Sequence, residues 1–143
     1  MGQIMQGKLR QIQGLQLVVT GDSGHAVVMD QSREVGGFEA APSPMEFVLF
    51  GLAGCTAMDV ISILQKKRED VRGFEVYFRA ERADEHPKVF TKVHLKFIVK
   101  GKGVKPQSVK RAIELSATKY CSASAMISKT ADITYEFEII ESD

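Results

Sequence analysis

An apolar run from Phe47 to Leu64, opened by Ser43-Pro44-Met45-Glu46, limits what the rest of this chain can be. Ser43 can cap a helix N-terminus, and Pro44 suits the first helical position because its missing N–H costs nothing there. Glu46, three residues after Ser43, completes a capping box. The helix is predicted to run to about Lys67. It is apolar almost all round, which implies burial on most sides. Its length reaches the ~18 residues at which an apolar segment can cross a membrane. Asp59, Thr56, Ser62 and the small residues Gly51, Ala53 and Gly54 interrupt it, so it is read as a helix buried in protein, not a membrane span. Glycine inside a helix costs ~1 kcal/mol relative to alanine, and close approach of another helix or a ligand is a reason to accept that cost. Cys55 follows these small residues directly.

The flanking segments alternate like strands. Lys8–Gln13 and Leu15–Val19 precede a turn at Thr20-Gly21-Asp22-Ser23-Gly24, and His25–Met29 forms a third strand. The segment 31–42 reads as a loop. Gly73 is expected to end the polar tail of the long helix. Phe74, Val76, Phe78 and Ala80, then Val89 through Val99, alternate as an antiparallel hairpin with a sizeable connection at Glu85-His86-Pro87. Gly101-Lys102-Gly103 is expected to break the second of these strands. From Pro106, Val109, Ala112, Ile113 and Tyr120 recur with helical period, which places Tyr120 in the core. Cys121 lies at the end of that pattern, and a second, bent helical segment continues to Lys129. Ile133, Tyr135, Phe137 and Ile139 alternate in a final strand. The class is α+β, the order βββ-α-ββ-αα-β, and 143 residues suit a single domain over 1–143.

Charge excludes some functions. With 19 basic and 18 acidic residues the net charge is +1, which is no footprint for nucleic acid or an anionic membrane. The basic run Lys66-Lys67-Arg68 is answered at once by Glu69 and Asp70. The N-terminus shows no secretory signal, so a cytoplasmic location is expected. His25, His86 and His94 have no metal spacing, and neither a metal nor a cofactor is expected. Cys55 and Cys121 match no CxxC redox or zinc spacing. On spacing alone, inert buried thiols and a redox pair both remain open.

The setting of the cysteines adds information. With Ala41-Pro42-Ser43-Pro44-Met45-Glu46 leading to Gly51-Leu52-Ala53-Gly54-Cys55, and Lys119-Tyr120-Cys121 in the second helical region, the chain resembles the OsmC/Ohr family of osmotically inducible and organic hydroperoxide resistance proteins. The resemblance covers nearly the whole chain. It implies an intertwined homodimer with active sites at the subunit interface, the partner covering the apolar helix. It also implies that Cys55 is the peroxidatic cysteine. Its thiolate would attack a hydroperoxide and become a sulfenic acid, which Cys121 would condense with to form a disulfide. An external dithiol, a lipoyl-bearing protein by family analogy, would reduce that bridge. Apolar neighbours such as Phe47, Phe50, Leu52 and Met58 would favour organic hydroperoxides as the small substrate.

The chain departs from the hydroperoxide branch at the group that activates the thiolate. That branch pairs an Arg with a Glu at the start of the central helix. Here the matching position is Met45, with Glu46 one residue later, and the turn Gly21–His25 carries no arginine. A one-residue shift makes Glu46 a catalytic candidate beside its capping role, and Arg10, Arg33 or His25 could supply the positive charge. Asp59, one turn after Cys55, is expected to make a structural hydrogen bond or meet solvent. Two other functions stand beside the peroxidase: a non-catalytic dimeric module that binds a small apolar ligand or senses oxidants, and a purely structural thiol pair.

Overall fold

The computed structural model describes residues 2–143. The chain forms two compact units, one ending at Phe50 and one beginning at Gly51. Their elements follow the expected α+β order.

In the first unit, β1 (Gly7–Gln13), β2 (Gln16–Gly21) and β3 (Ala26–Met29) form an antiparallel meander in sequence order. The segment after β3 is organised by one side chain. Asp30 is buried, and its carboxylate accepts hydrogen bonds from the backbone N–H groups of Gln31 (2.7 Å), Phe38 (3.2 Å) and Ala40 (3.2 Å). Burial pushes the Asp30 carboxyl up, but these three donors and the Arg33 charge outweigh it and hold it below the usual carboxylate range. The expected loop thus contains a short 3-10 turn, Arg33–Val35, pinned from within.

The helix α1 (Pro44–Lys66) starts with the expected capping box: the Ser43 N–H donates to Glu46 Oε2 (2.7 Å), and the Glu46 N–H donates to Ser43 Oγ (3.4 Å). It ends at Lys66, close to the expected Lys67, but the polar tail expected up to Gly73 is not helical. Arg68, not Gly73, takes the left-handed conformation, at φ 59°. The Glu69 N–H reaches Leu64 O and the Arg68 N–H reaches Gln65 O, the two bonds of a Schellman cap. This frees Asp70–Arg72 to join a strand. Of the 23 residues of α1 only Leu52, Ala53, Thr56, Val60 and Leu64 are buried, a stripe at four-residue spacing. Val48 remains 44% exposed and Met58 74%. Burial on most sides is therefore not reached within one chain. By length and composition α1 could cross a membrane.

In the second unit, β4 (Asp70–Arg82), β5 (Phe90–Lys102) and β6 (Asp132–Glu141) form a sheet in that order, β4 antiparallel to β5 and β5 parallel to β6. Gly73 sits where the register slips, opposite Lys100. Gly101 does not break β5: it lies inside the strand, where a Cβ would collide with the Asp70 carbonyl oxygen and the Val104 side chain. Val93, Leu95, Phe97 and Val99 of β5 are buried, as are Val109, Ala112 and Ile113 of α2 (Pro106–Leu115). The Phe97 ring meets Phe74 edge-on at 6.0 Å and stacks with Tyr135 at 6.4 Å. The other face of the sheet carries exposed cross-strand pairs, among them His94 with Glu136 (3.0 Å) and Lys100 with Glu75 (3.1 Å). Such pairs contribute ~0–1 kcal/mol each.

Candidate redox site

The site lies wholly within the second unit. It begins with a helix that turns too widely. After α2 the backbone makes a π-helical turn, Ser116–Tyr120, closed by the Cys121 N–H donating to Ser116 O at 2.8 Å. Such turns insert one residue into a helix and often occur at functional sites. The turn leaves Tyr120 51% exposed, whereas the helical period placed it in the core. It also ends the helix at Cys121, whose extended backbone caps a further short helix, α3 (Ser122–Ile127).

Cys121 is buried, and hydrogen-bonding groups surround its sulfur. The Ser124 N–H donates to Sγ at 3.3 Å, and Thr56 Oγ1 lies 3.5 Å away. Ser124 Oγ donates to the Cys121 carbonyl at 3.1 Å, which locks the cap. Thr56, fully buried on α1, also donates to Leu52 O at 3.0 Å. A hydroxyl carries one proton. When Thr56 gives it to Leu52 O, the Cys121 S–H is the donor between the two; when Cys121 is a thiolate, the hydroxyl can turn to it.

Cys55 faces this arrangement from α1. Its Sγ, the Cys121 Sγ and a carboxylate oxygen of Asp59 all lie within 4.8 Å of one another. Both thiols are free. Asp59 makes a structural hydrogen bond as expected: Ser116 Oγ, itself fully buried, donates to Asp59 Oδ2 at 2.9 Å.

The two thiols are driven in opposite directions. Burial pushes Cys55 up; the Ala123 N–H opposes this, while its hydrogen bond to Cys121 keeps the proton on Cys55. Burial also pushes Cys121 up, but there the donors Thr56, Ser124 and the Cys55 S–H prevail, and Cys121 ends below the ordinary thiol value. The hydroxyl of Tyr135 is raised, first by its own burial and then by the negative charge at Cys121.

The structure therefore brings Cys55 and Cys121 together and places Glu46 in the helix cap. Sequence reasoning missed Thr56, Ser116 and Ser124 as partners of the thiol pair. A signal existed for two of them. Thr56 interrupts the apolar run beside Cys55, and Ser116 occupies a core position of the amphipathic pattern of α2.

Known proteins share the family and the fold. The family of OsmC-like proteins matches residues 37–136. Protein YhfA of Escherichia coli (strain K12) is 43% identical over 136 residues, which cover 95% of this chain and 98% of that one. Two crystal structures share the fold at low identity. An OsmC-like protein from Mycoplasma pneumoniae has a TM-score of 0.78 at 12% identity, covering 98% of this chain and 99% of its own. An organic hydroperoxide resistance protein OsmC from Legionella pneumophila has a TM-score of 0.69 at 16% identity, covering 93% and 96%.

Proposed function

This chain belongs to the family of OsmC-like proteins, and from that premise we propose that it is a thiol-dependent redox protein that reduces organic hydroperoxides through Cys55 and Cys121. The observation that carries the reading is the adjacency of the two sulfurs among hydrogen-bond donors. Cys55 is the more exposed of the two and meets the substrate. As its sulfur attacks one oxygen of the hydroperoxide, the O–O bond breaks, the alcohol leaves with a proton, and Cys55 becomes a sulfenic acid. Cys121 then attacks the Cys55 sulfur, water leaves, and a Cys55–Cys121 disulfide remains. An external dithiol supplies two electrons and two protons to restore both thiols.

Activation of Cys55 has to work without the arginine of the hydroperoxide branch. In our reading Cys121 takes that part. Thr56 and Ser124 donate to its sulfur and favour the unprotonated form, so a vacant proton acceptor stands beside Cys55; it takes the Cys55 proton as Cys55 attacks and returns it to the departing alkoxide. Glu46, committed to the cap, orients the start of α1 and touches no reacting atom in this scheme. The exposed apolar residues Val48 and Met58 support a homodimer in which a second copy covers α1. The protein is then soluble and cytoplasmic, with no role for nucleic acid or membrane.

Mass spectrometry after exposure to an organic hydroperoxide tests the scheme. Wild type should form the intramolecular disulfide, Cys121→Ser should accumulate a sulfenic acid on Cys55, and Cys55→Ser should consume no hydroperoxide. Wild type showing neither sulfenic acid nor disulfide would refute the peroxidase. Ligand-dependent thermal stabilisation in place of turnover would then favour the apolar-ligand module.

A further inference from the structure

The same three groups that bring the thiols together also form a ligand set. We infer that Cys55, Asp59 and Cys121 bind one thiophilic divalent cation of the zinc type, in the reduced protein only. The three donor atoms already lie within 4.8 Å of one another. Around a tetrahedral zinc, with bonds of about 2.3 Å to sulfur and about 2.0–2.2 Å to oxygen, donors stand roughly 3.5–3.8 Å apart. Side-chain rotation of about an ångström closes that gap. Cys55 and Asp59 are one helical turn apart on α1, the spacing at which two side chains of one helix converge on a metal.

The surroundings of a metal site are present as well. Ligating carboxylates are held by a second hydrogen bond, and Ser116 Oγ already holds Asp59 Oδ2, leaving the other oxygen for a cation. The Ser124 N–H and Thr56 fix the Cys121 sulfur. A cavity of about 280 Å³, lined by Asp59, Ser62, Ile63, Lys66, Leu115 and Tyr120, borders the Asp59 end of the set. Among the described residues Asp59 makes no ion pair, and Lys66, which lines the same cavity, brings a single positive charge against two thiolates and a carboxylate. A dipositive ion supplies the balance. Histidine spacing could not reveal this site, because its ligands are one helical pair and a cysteine from a distant helix cap.

Binding displaces whatever protons the sulfurs carry and ties up both, so metal and hydroperoxide compete for the same electron pairs. A hydroperoxide that oxidises the bound pair takes two electrons from the thiolates and two protons from solvent. It leaves a disulfide, an alcohol, water and the freed cation. The pair would thus hold metal when reduced and release it when oxidised. The ligand set does not depend on the protein being a peroxidase, only on the two thiols being reduced and adjacent.

Titration of reduced, metal-free protein with zinc against a chromogenic chelator, and with cobalt followed by its thiolate charge-transfer band, tests the inference. Wild type should bind one ion per chain with a cobalt–thiolate band, and disulfide formation with a thiol oxidant should abolish binding. Asp59→Asn should weaken binding at least tenfold, and Ser116→Ala by roughly 10–100-fold, the range for loss of an outer hydrogen bond. Circular dichroism checks that each variant is folded. Absence of saturable zinc binding by folded, reduced wild type overturns the inference, and so does unchanged affinity in Asp59→Asn. If the oxidant still forms the Cys55–Cys121 bridge in wild type, the redox reading survives that failure.

Discussion

Oxidation of Cys55 and Cys121 should stabilise the fold by an amount that the chain length sets. The bridge closes a loop of about 66 residues, and on the chain-entropy account such a cross-link removes about 4 kcal/mol of freedom from the unfolded state. The native state gives part of this back. The sulfur of Cys121 must leave its contacts with the Ser124 N–H and Thr56, hydrogen bonds of roughly 0.5–1.5 kcal/mol each. The net gain is about 2–3 kcal/mol. At roughly 2–4 °C per kcal/mol for a chain near this size, the midpoint should rise by about 5–10 °C. Thermal unfolding of reduced and oxidised protein at matched concentration measures the shift, and urea unfolding the free-energy gain. The oxidised form should also show a shallower denaturant slope, because its unfolded chain exposes less surface. An oxidised protein with the intramolecular bridge confirmed by mass, yet no more stable than the reduced form, would show that the sulfurs reach bonding distance only by straining α1 or the α3 cap.

Two further outcomes follow from single residues. Arg68→Gly should stabilise by about 0.5–1 kcal/mol, since a non-glycine residue pays ~1–2 kcal/mol in the left-handed conformation and glycine gives back ~0.5–1 in unfolded-state entropy; a lower urea midpoint would contradict it. Asp30, held below the usual carboxylate range, adds stability that is present above its unfolded value and lost as pH falls through its folded one. Asp30→Asn should therefore be less stable than wild type at neutral pH, and the gap should narrow on acidification; a gap that widens in acid would refute the sign.

Much of the fold could be read directly. Ser43 and Glu46 mark the start of α1 because a cap is a local device, complete within four residues. The alternation of β4, β5 and β6 reads clearly because each strand buries one face. The tail between Lys67 and Gly73 is harder to read, because the Schellman cap uses Arg68, and an arginine carries no turn signal. Tyr120 was misassigned for a different reason. The period of α2 predicts a regular helix, and the π-helical turn that breaks it is visible only when Ser116 is seen bonded to Asp59 on another element. The meeting of Cys55 with Cys121 is likewise a property of the packed chain, and in the sequence only family resemblance pointed to it. Thr56 and Ser124, which bias the pair, look like ordinary helix residues until their hydroxyl and N–H are found beside a sulfur.

The wide turn before Cys121 acts as a phase shift. An α-helix advances about 100° per residue, so the single surplus residue in 116–120 resets the angular position of everything after it. Deleting Ala117 would restore a regular helix of nearly the same composition and equal polarity, yet rotate Cys121 by about a quarter turn or more away from α1. The pairing of the two sulfurs, and with it the proposed redox reaction, would then be lost with both thiols and every hydrogen-bond donor to them still encoded. Function in this protein is written partly in a count of residues rather than in their identity.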